Sequence, residues 1–423
     1  MLAARASTAR SAQRIARSFA TVVDTTGVKV AAVDYNQPTA SVTVLVKAGS
    51  RFQPKDGAAN ALKNFAFKST SSRSAIGTVR ESELYGGVLS STLGREHLAL
   101  TAEFLKADAP YFVDILTSFV TSAKFTRHEF EEYVAPVVSA ETEAASRDPA
   151  TLAIDTAHGL AFRSGLGSSL FAPAHHDLTV DDVKSFASSI FTKSNIAVLG
   201  TGIDQATLSS LVEKAFAKAS ESSAVSTPAS KYFGGETRLG GTGGPQTVFI
   251  GFGTTGSPSA EHAALAAHLS PTPSIKWSKG LSPLSSLPEG ISVQPVYLPY
   301  TDASLFGLLV QGPTTASVKE ASKAAIAALK AASQGIKAEE LKSAVAKAKF
   351  AAASSVETRE GLVNALGSKI FSGVNTSLVA TLSSLDAVDA SAFSKATANL
   401  LAAKPTYVVI GDVHLPYVDE LGL

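Results

Sequence analysis

Chemistry in this chain falls to His, Asp, Glu, Ser or Lys side chains, because none of its 423 residues is cysteine. That absence excludes a disulfide scaffold, a thiolate zinc site, a thiolate-held iron–sulfur cluster and a cysteine nucleophile. Of the 8 histidines, only His175-His176-Asp177 form a cluster. Neighbouring residues diverge by about 100° on a helix and point to opposite faces of a strand, so an adjacent pair is badly placed to share one ion. The cluster precedes Leu178-Thr179-Val180-Asp181-Asp182, which reads as a helix N-terminus, so a solvated cap or loop is the expected role. His97 sits beside Glu96 at the start of a strand, without ligand spacing to another histidine, and reads as structural. No G-x-x-x-x-G-K-[ST] loop occurs. The run Gly240-Gly241-Thr242-Gly243-Gly244-Pro245 precedes a strand, whereas a phosphate cradle follows one and opens a helix.

The elements that must position any chemistry come in duplicate. Val42-Thr43-Val44-Leu45-Val46-Lys47-Ala48-Gly49 alternates like a strand ending at a glycine turn, and Thr247-Val248-Phe249-Ile250-Gly251-Phe252-Gly253 repeats it. Ala-rich helical stretches follow each, at 57–67 and 260–269. Phe125-Thr126-Arg127-His128-Glu129-Phe130 opens a helix whose counterpart starts at Ile336-Lys337-Ala338-Glu339-Glu340-Leu341. The closing strands Asn195-Ile196-Ala197-Val198-Leu199-Gly200 and Thr406-Tyr407-Val408-Val409-Ile410-Gly411 match as well. Three anchors in one order at a nearly constant offset predict an internal duplication. Further strands at 98–104 and 304–311, interspersed with helix pairs, predict an α+β fold of two homologous halves, each a mostly antiparallel sheet packed against helices. The expected boundaries are 20–218 and 232–423, with the polar, aperiodic stretch 219–231 as a linker.

A net charge of +1 gives no electrostatic reason to expect a nucleic-acid partner. Charged residues make up 17% and hydrophobic residues 45%, yet no run of about 18–20 apolar residues could form a membrane span. The excess fits either faces buried against partner subunits or a weakly polar, Ala-rich sequence. Residues 1–23 carry Arg5, Arg10, Arg14 and Arg17 with several serines and no acid. That composition predicts a mitochondrial transit peptide over 1–19, cleaved after Arg17-Ser18-Phe19 so that Ala20 leads the mature chain.

Asn60-Ala61-Leu62-Lys63-Asn64-Phe65-Ala66-Phe67-Lys68-Ser69-Thr70 resembles the helix that carries the inverted zinc motif H-x-x-E-H in processing-peptidase and insulinase-like metallopeptidases. Phe65 to Thr70 keep the tail of that pattern. The resemblance places Asn60 and Asn64 where the family has zinc-binding histidines, Lys63 where it has the water-activating glutamate, and Glu141 at the third ligand. It extends over Leu84-Tyr85-Gly86-Gly87, Arg147-Asp148-Pro149 and 195–202, and so over essentially the whole mature chain. In a second-half pattern like R-x-x-x-G-L-x-Y, aligned on Gly290, Ser286 and Val293 replace the Arg and Tyr that hold substrate in active relatives. Asparagine amides are poor zinc ligands, and an ammonium repels the ion and takes no proton. The expected outcome is an unused site with no metal, cofactor or catalytic residue, and with Glu141 as an exposed helix acid.

The resemblance therefore points to the inactive members of the family. Presequence-binding α subunits of the processing peptidase carry a glycine-rich loop after the first helix of the second half; here 270–281 holds one glycine and the prolines Pro271 and Pro273, which restrict φ. Lys276, Lys279 and the Ser/Leu-rich 282–287 are more similar to the core subunits of ubiquinol–cytochrome c reductase, respiratory complex III, the second core subunit first and core protein 1 as the alternative. That branch implies a scaffold on the matrix side of the inner membrane, paired with core protein 1 and contacting the cytochrome b, cytochrome c1, Rieske and small subunits of a dimeric complex. A cleaved presequence held in a cleft is a weaker implication.

Overall fold

Strands rich in Val, Leu and Phe build two sheets, and the computed structural model describes them over residues 22–34, 36–175, 177–217, 225, 228–241, 243–272, 280, 282–372 and 378–423. The expected leader, His176, Lys276, Lys279 and most of the linker lie outside these residues. The first sheet contains β1 (Val23–Thr25), β2 (Val28–Val33), β3 (Thr39–Val46), β4 (Val88–Leu93), β5 (Leu98–Leu105) and β6 (Ile196–Thr201), ordered β1-β2-β6-β3-β5-β4. The second contains β7 (Gly235–Gly240), β8 (Gln246–Thr255), β9 (Ser292–Pro299), β10 (Ala303–Gly312) and β11 (Thr406–Gly411), ordered β7-β11-β8-β10-β9. Without β1 the two orders are the same. In each sheet the closing strand lies parallel to the first strand and antiparallel to the second, as in Val30↔Val198 beside Val44↔Val198, and Val408↔Thr237 beside Val408↔Phe249. The α+β architecture and the duplication read from the sequence are thus present strand by strand.

The helices are α1 (Ala58–Asn64), α2 (Ala75–Leu84), α3 (Ala109–Ser122), α4 (Ala135–Arg147), α5 (Pro149–Phe162), α6 (Val180–Ile190), α7 (Gln205–Phe216), α8 (Ala260–Leu269), α9 (Thr315–Gln334), α10 (Ala338–Ser355), α11 (Arg359–Ser372), α12 (Leu378–Asp386) and α13 (Ala390–Leu401). A short turn Arg127–Glu129 and a π-helical turn Phe130–Val134 lead directly into α4. The ends follow capping chemistry. Asp148 accepts hydrogen bonds from Ala150 and Thr151 with Pro149 at the first helical position, and Thr179 with Asp182 forms a capping box at α6.

Two compact units result, and they are not the linear halves expected from the sequence. One comprises the described residues within 1–142, 170–228 and 355–379; the other comprises those within 143–169, 229–354 and 380–423. The expected halves 20–218 and 232–423 therefore exchange segments. Packing gives the reason for 143–169. Phe249, Leu305, Leu309, Val408 and Ile410 alternate with the residues of β8, β10 and β11 that face the helices α8, α9 and α13, and so form a second apolar face. Ala153, Ala157, Ala161 and Phe162 of α5 cover that face, the alanines letting the helix lie close. With both faces buried, these strands read as continuous apolar runs. In the first unit Phe104 and Phe112 stack at 4.7 Å within a core that includes Phe65, Phe119 and Phe186.

Candidate functional site

Helix α1 begins at Gly57, whose φ of +87° and 2.6 Å approach of a would-be Cβ to Ala172 Cβ exclude any side chain. Ala58, Ala59, Ala61 and Leu62 are buried, which turns Asn60, Lys63 and Asn64, at i, i+3 and i+4, onto one shared face. That face meets Glu141 on α4. Lys63 Nζ donates to Glu141 Oε1 at 2.5 Å. Asn60 Nδ2 and Asn64 Nδ2 donate to Oε2 at 3.1 and 3.3 Å. Asn64 Nδ2 also donates to Asn60 Oδ1 at 3.0 Å, and Asn60 Nδ2 to the Leu170 carbonyl at 3.3 Å. Ser91 Oγ of β4 donates to the Lys63 carbonyl at 3.3 Å.

All four first-half positions singled out by the resemblance are thus one hydrogen-bonded cluster. The expectation that Glu141 is an exposed helix acid is corrected: its side chain is 32% accessible and three side chains converge on it. A carboxylate opposite an ammonium and two amide N–H groups has compensating partners that a lone surface acid lacks. Leu170 and Ser91 contribute without any signature in the sequence, one through its backbone oxygen and the other through a generic hydroxyl.

Zinc does not fit this set. The ion needs lone pairs from imidazole, thiolate or carboxylate, whereas both amides aim N–H groups at the carboxylate and the ammonium already neutralises it. Among the described residues no three His, Asp or Glu side chains are grouped as a metal site requires. In the other unit, Ser286 is exposed in a turn, and Val293 of β9 is 2% exposed within the core, where it presents no polar group.

The tail of the motif is also anchored. Glu129 accepts hydrogen bonds from the Ser69 backbone N–H at 2.9 Å and from Thr126 Oγ1 at 2.8 Å. Burial raises the Glu129 pKa, but the hydrogen bonds from Ser69 and Thr126 and the Lys68 charge outweigh it and hold the carboxyl below its ordinary value. His175 is exposed, and Asp177 pairs with Lys55 at 3.1 Å just ahead of the α6 cap, as a solvated cap region should.

A family model described as Insulinase (Peptidase family M16) matches residues 29–174, the stretch that holds this cluster. The chain is also similar to three curated proteins, each called cytochrome b-c1 complex subunit 2, mitochondrial. The Cryptococcus neoformans protein is 44% identical, covering 99% of this chain and 98% of that one. The Yarrowia lipolytica protein is 37% identical, covering 96% and 97%. The human protein is 26% identical, covering 93% and 90%. Similarity of this extent, over nearly the whole of each chain, means that the chain belongs to the family of mitochondrial cytochrome b-c1 complex subunit 2.

Proposed function

We propose that this chain is a non-catalytic core subunit of the mitochondrial cytochrome b-c1 complex, corresponding to core protein 2, that supports assembly and stability on the matrix side of the inner membrane. The observation that carries the non-catalytic part is the Lys63–Glu141 pair. A general base replaced by an ammonium, and committed to the only carboxylate left among the ligand positions, offers neither a metal-bound water nor a proton acceptor. Full-length similarity to subunits of that complex supports membership. Peripheral attachment is supported by the helices of the described residues, none of which is long and apolar enough to cross a membrane.

In this reading residues 1–19 are a cleaved presequence. The partners are core protein 1 and the cytochrome b, cytochrome c1, Rieske and small subunits of the dimeric complex, and a cleaved presequence is a further ligand. The chain itself carries no cofactor. Native-gel mass spectrometry of mitochondria tests it: the chain comigrates with cytochrome b and cytochrome c1. Comigration with a zinc peptidase subunit instead would assign the presequence-binding role of a processing-peptidase α subunit. The purified chain is expected to bind no stoichiometric zinc and to cleave no presequence peptide.

A further inference from the structure

The side-chain tips around Glu141 are drawn together by hydrogen bonds. Asn60 Nδ2 and Asn64 Nδ2 lie 3.1 and 3.3 Å from Glu141 Oε2, and Asn64 Nδ2 lies 3.0 Å from Asn60 Oδ1. The backbones of α1 and α4 therefore bring Asn60, Lys63 and Asn64 onto one carboxylate, and of these three donors Lys63 carries the full positive charge.

We infer that Lys63 is a built-in surrogate cation. Its ammonium neutralises Glu141 and locks α1 to α4 without metal, and it is the group that keeps a divalent ion out of a cluster otherwise rich in oxygen. The oxygens within reach are the Glu141 carboxylate, the side-chain oxygens of Asn60 and Asn64 after rotation of their amides, and the Leu170 carbonyl that Asn60 already touches. Hard divalent cations such as Mn²⁺ take all-oxygen sets of this kind, and zinc prefers nitrogen and sulfur. A second carboxylate in place of the ammonium would complete such a set. The inference deepens the non-catalytic reading and rests on it. Its readouts are metal content and melting, which are independent of the comigration that tests complex membership.

The experiment uses the full chain, stripped of metal and dialysed against Mn²⁺ or Zn²⁺, with metal content by mass spectrometry and melting followed with and without EDTA. Wild type and Lys63→Arg are expected to hold no stoichiometric metal and to melt independently of EDTA. Lys63→Met is expected to melt about 2–6 °C lower, with or without chelator. Lys63→Glu is expected to bind stoichiometric Mn²⁺ and to regain part of its lost melting temperature on binding it. If Lys63→Glu does not fold, Lys63→Gln carries the same measurement, since it frees Glu141 without adding charge, and Mn²⁺ should raise its melting temperature. Stoichiometric metal in the wild type, Lys63→Met melting with the wild type, or a folded Lys63→Glu or Lys63→Gln indifferent to Mn²⁺ would each overturn the inference.

Discussion

Arg51 Nη1 lies 2.9 Å from Glu96 Oε1, and both side chains are nearly sealed from water, at 5% and 8% exposure. The pair joins the turn after β3 to the residues that lead into β5. Removing one partner of a buried ion pair costs about 3–5 kcal/mol, because a charge kept away from water is then less well compensated. Glu96→Ala is expected to destabilise the chain by that amount in urea unfolding, and Glu96→Gln, which keeps an acceptor oxygen, by less.

Phe162 is encoded in the first half of the sequence but buries its ring among Phe249, Leu305, Leu309, Val408 and Ile410 of the second sheet. Phe162→Ala should cost about 3–5 kcal/mol. Hydrogen exchange locates the damage: amides of β8, β10 and β11 should lose protection, and those of β3 and β5 should change less.

Burial pushes the imidazoles of His262 and His268 below the ordinary value of 6.5. At His262 the Ala396 backbone hydrogen bond and the Glu261 charge oppose the shift without cancelling it; at His268 Glu340 opposes it and Lys347 adds to it. The folded state thus favours neutral rings, while the unfolded chain takes up protons as pH falls through about 6.5. The unfolded state then binds more protons, so the stability from these rings is complete above pH 6.5 and declines below it. Melting temperatures measured from pH 7.5 down to 5 should fall, and His262→Gln should flatten that slope. Asp34, Asp148 and Asp204, all held below the ordinary carboxylate value, lose their contributions only at lower pH.

Gly57→Ala places a side chain on a left-handed backbone, at about 1–2 kcal/mol, and against Ala172 Cβ in addition. The double variant with Ala172→Gly removes the collision but leaves the backbone strain. Its melting temperature should therefore recover only part of the loss.

Much of this was legible in the sequence because it is local. The alternation of Val42 to Val46, the helix at 260–269 and the duplicated closing strands appear where periodicity places them. The exchange of α5 was not legible: Ala153, Ala157 and Ala161 mark a face that fits closely against a sheet, and nothing local says which sheet. The π-helical turn Phe130–Val134 was likewise hidden inside an ordinary helical pattern. At the site, resemblance supplied Asn60, Lys63, Asn64 and Glu141, but spacing cannot tell an idle acid from one held by three donors. That distinction depends on α4 lying opposite α1, a tertiary fact.

The sheet order sets a timetable for synthesis. β11, the strand between β7 and β8, is translated almost last, whereas α5, which covers one face of the same sheet, leaves the ribosome long before it. At 5–20 residues per second, the interval from Phe162 to Thr406 lasts roughly 12–50 s. Throughout that time the alanine-lined side of α5 has no finished partner surface. Until that final strand arrives, β7 and β8 have no strand between them and α5 faces an unfinished sheet.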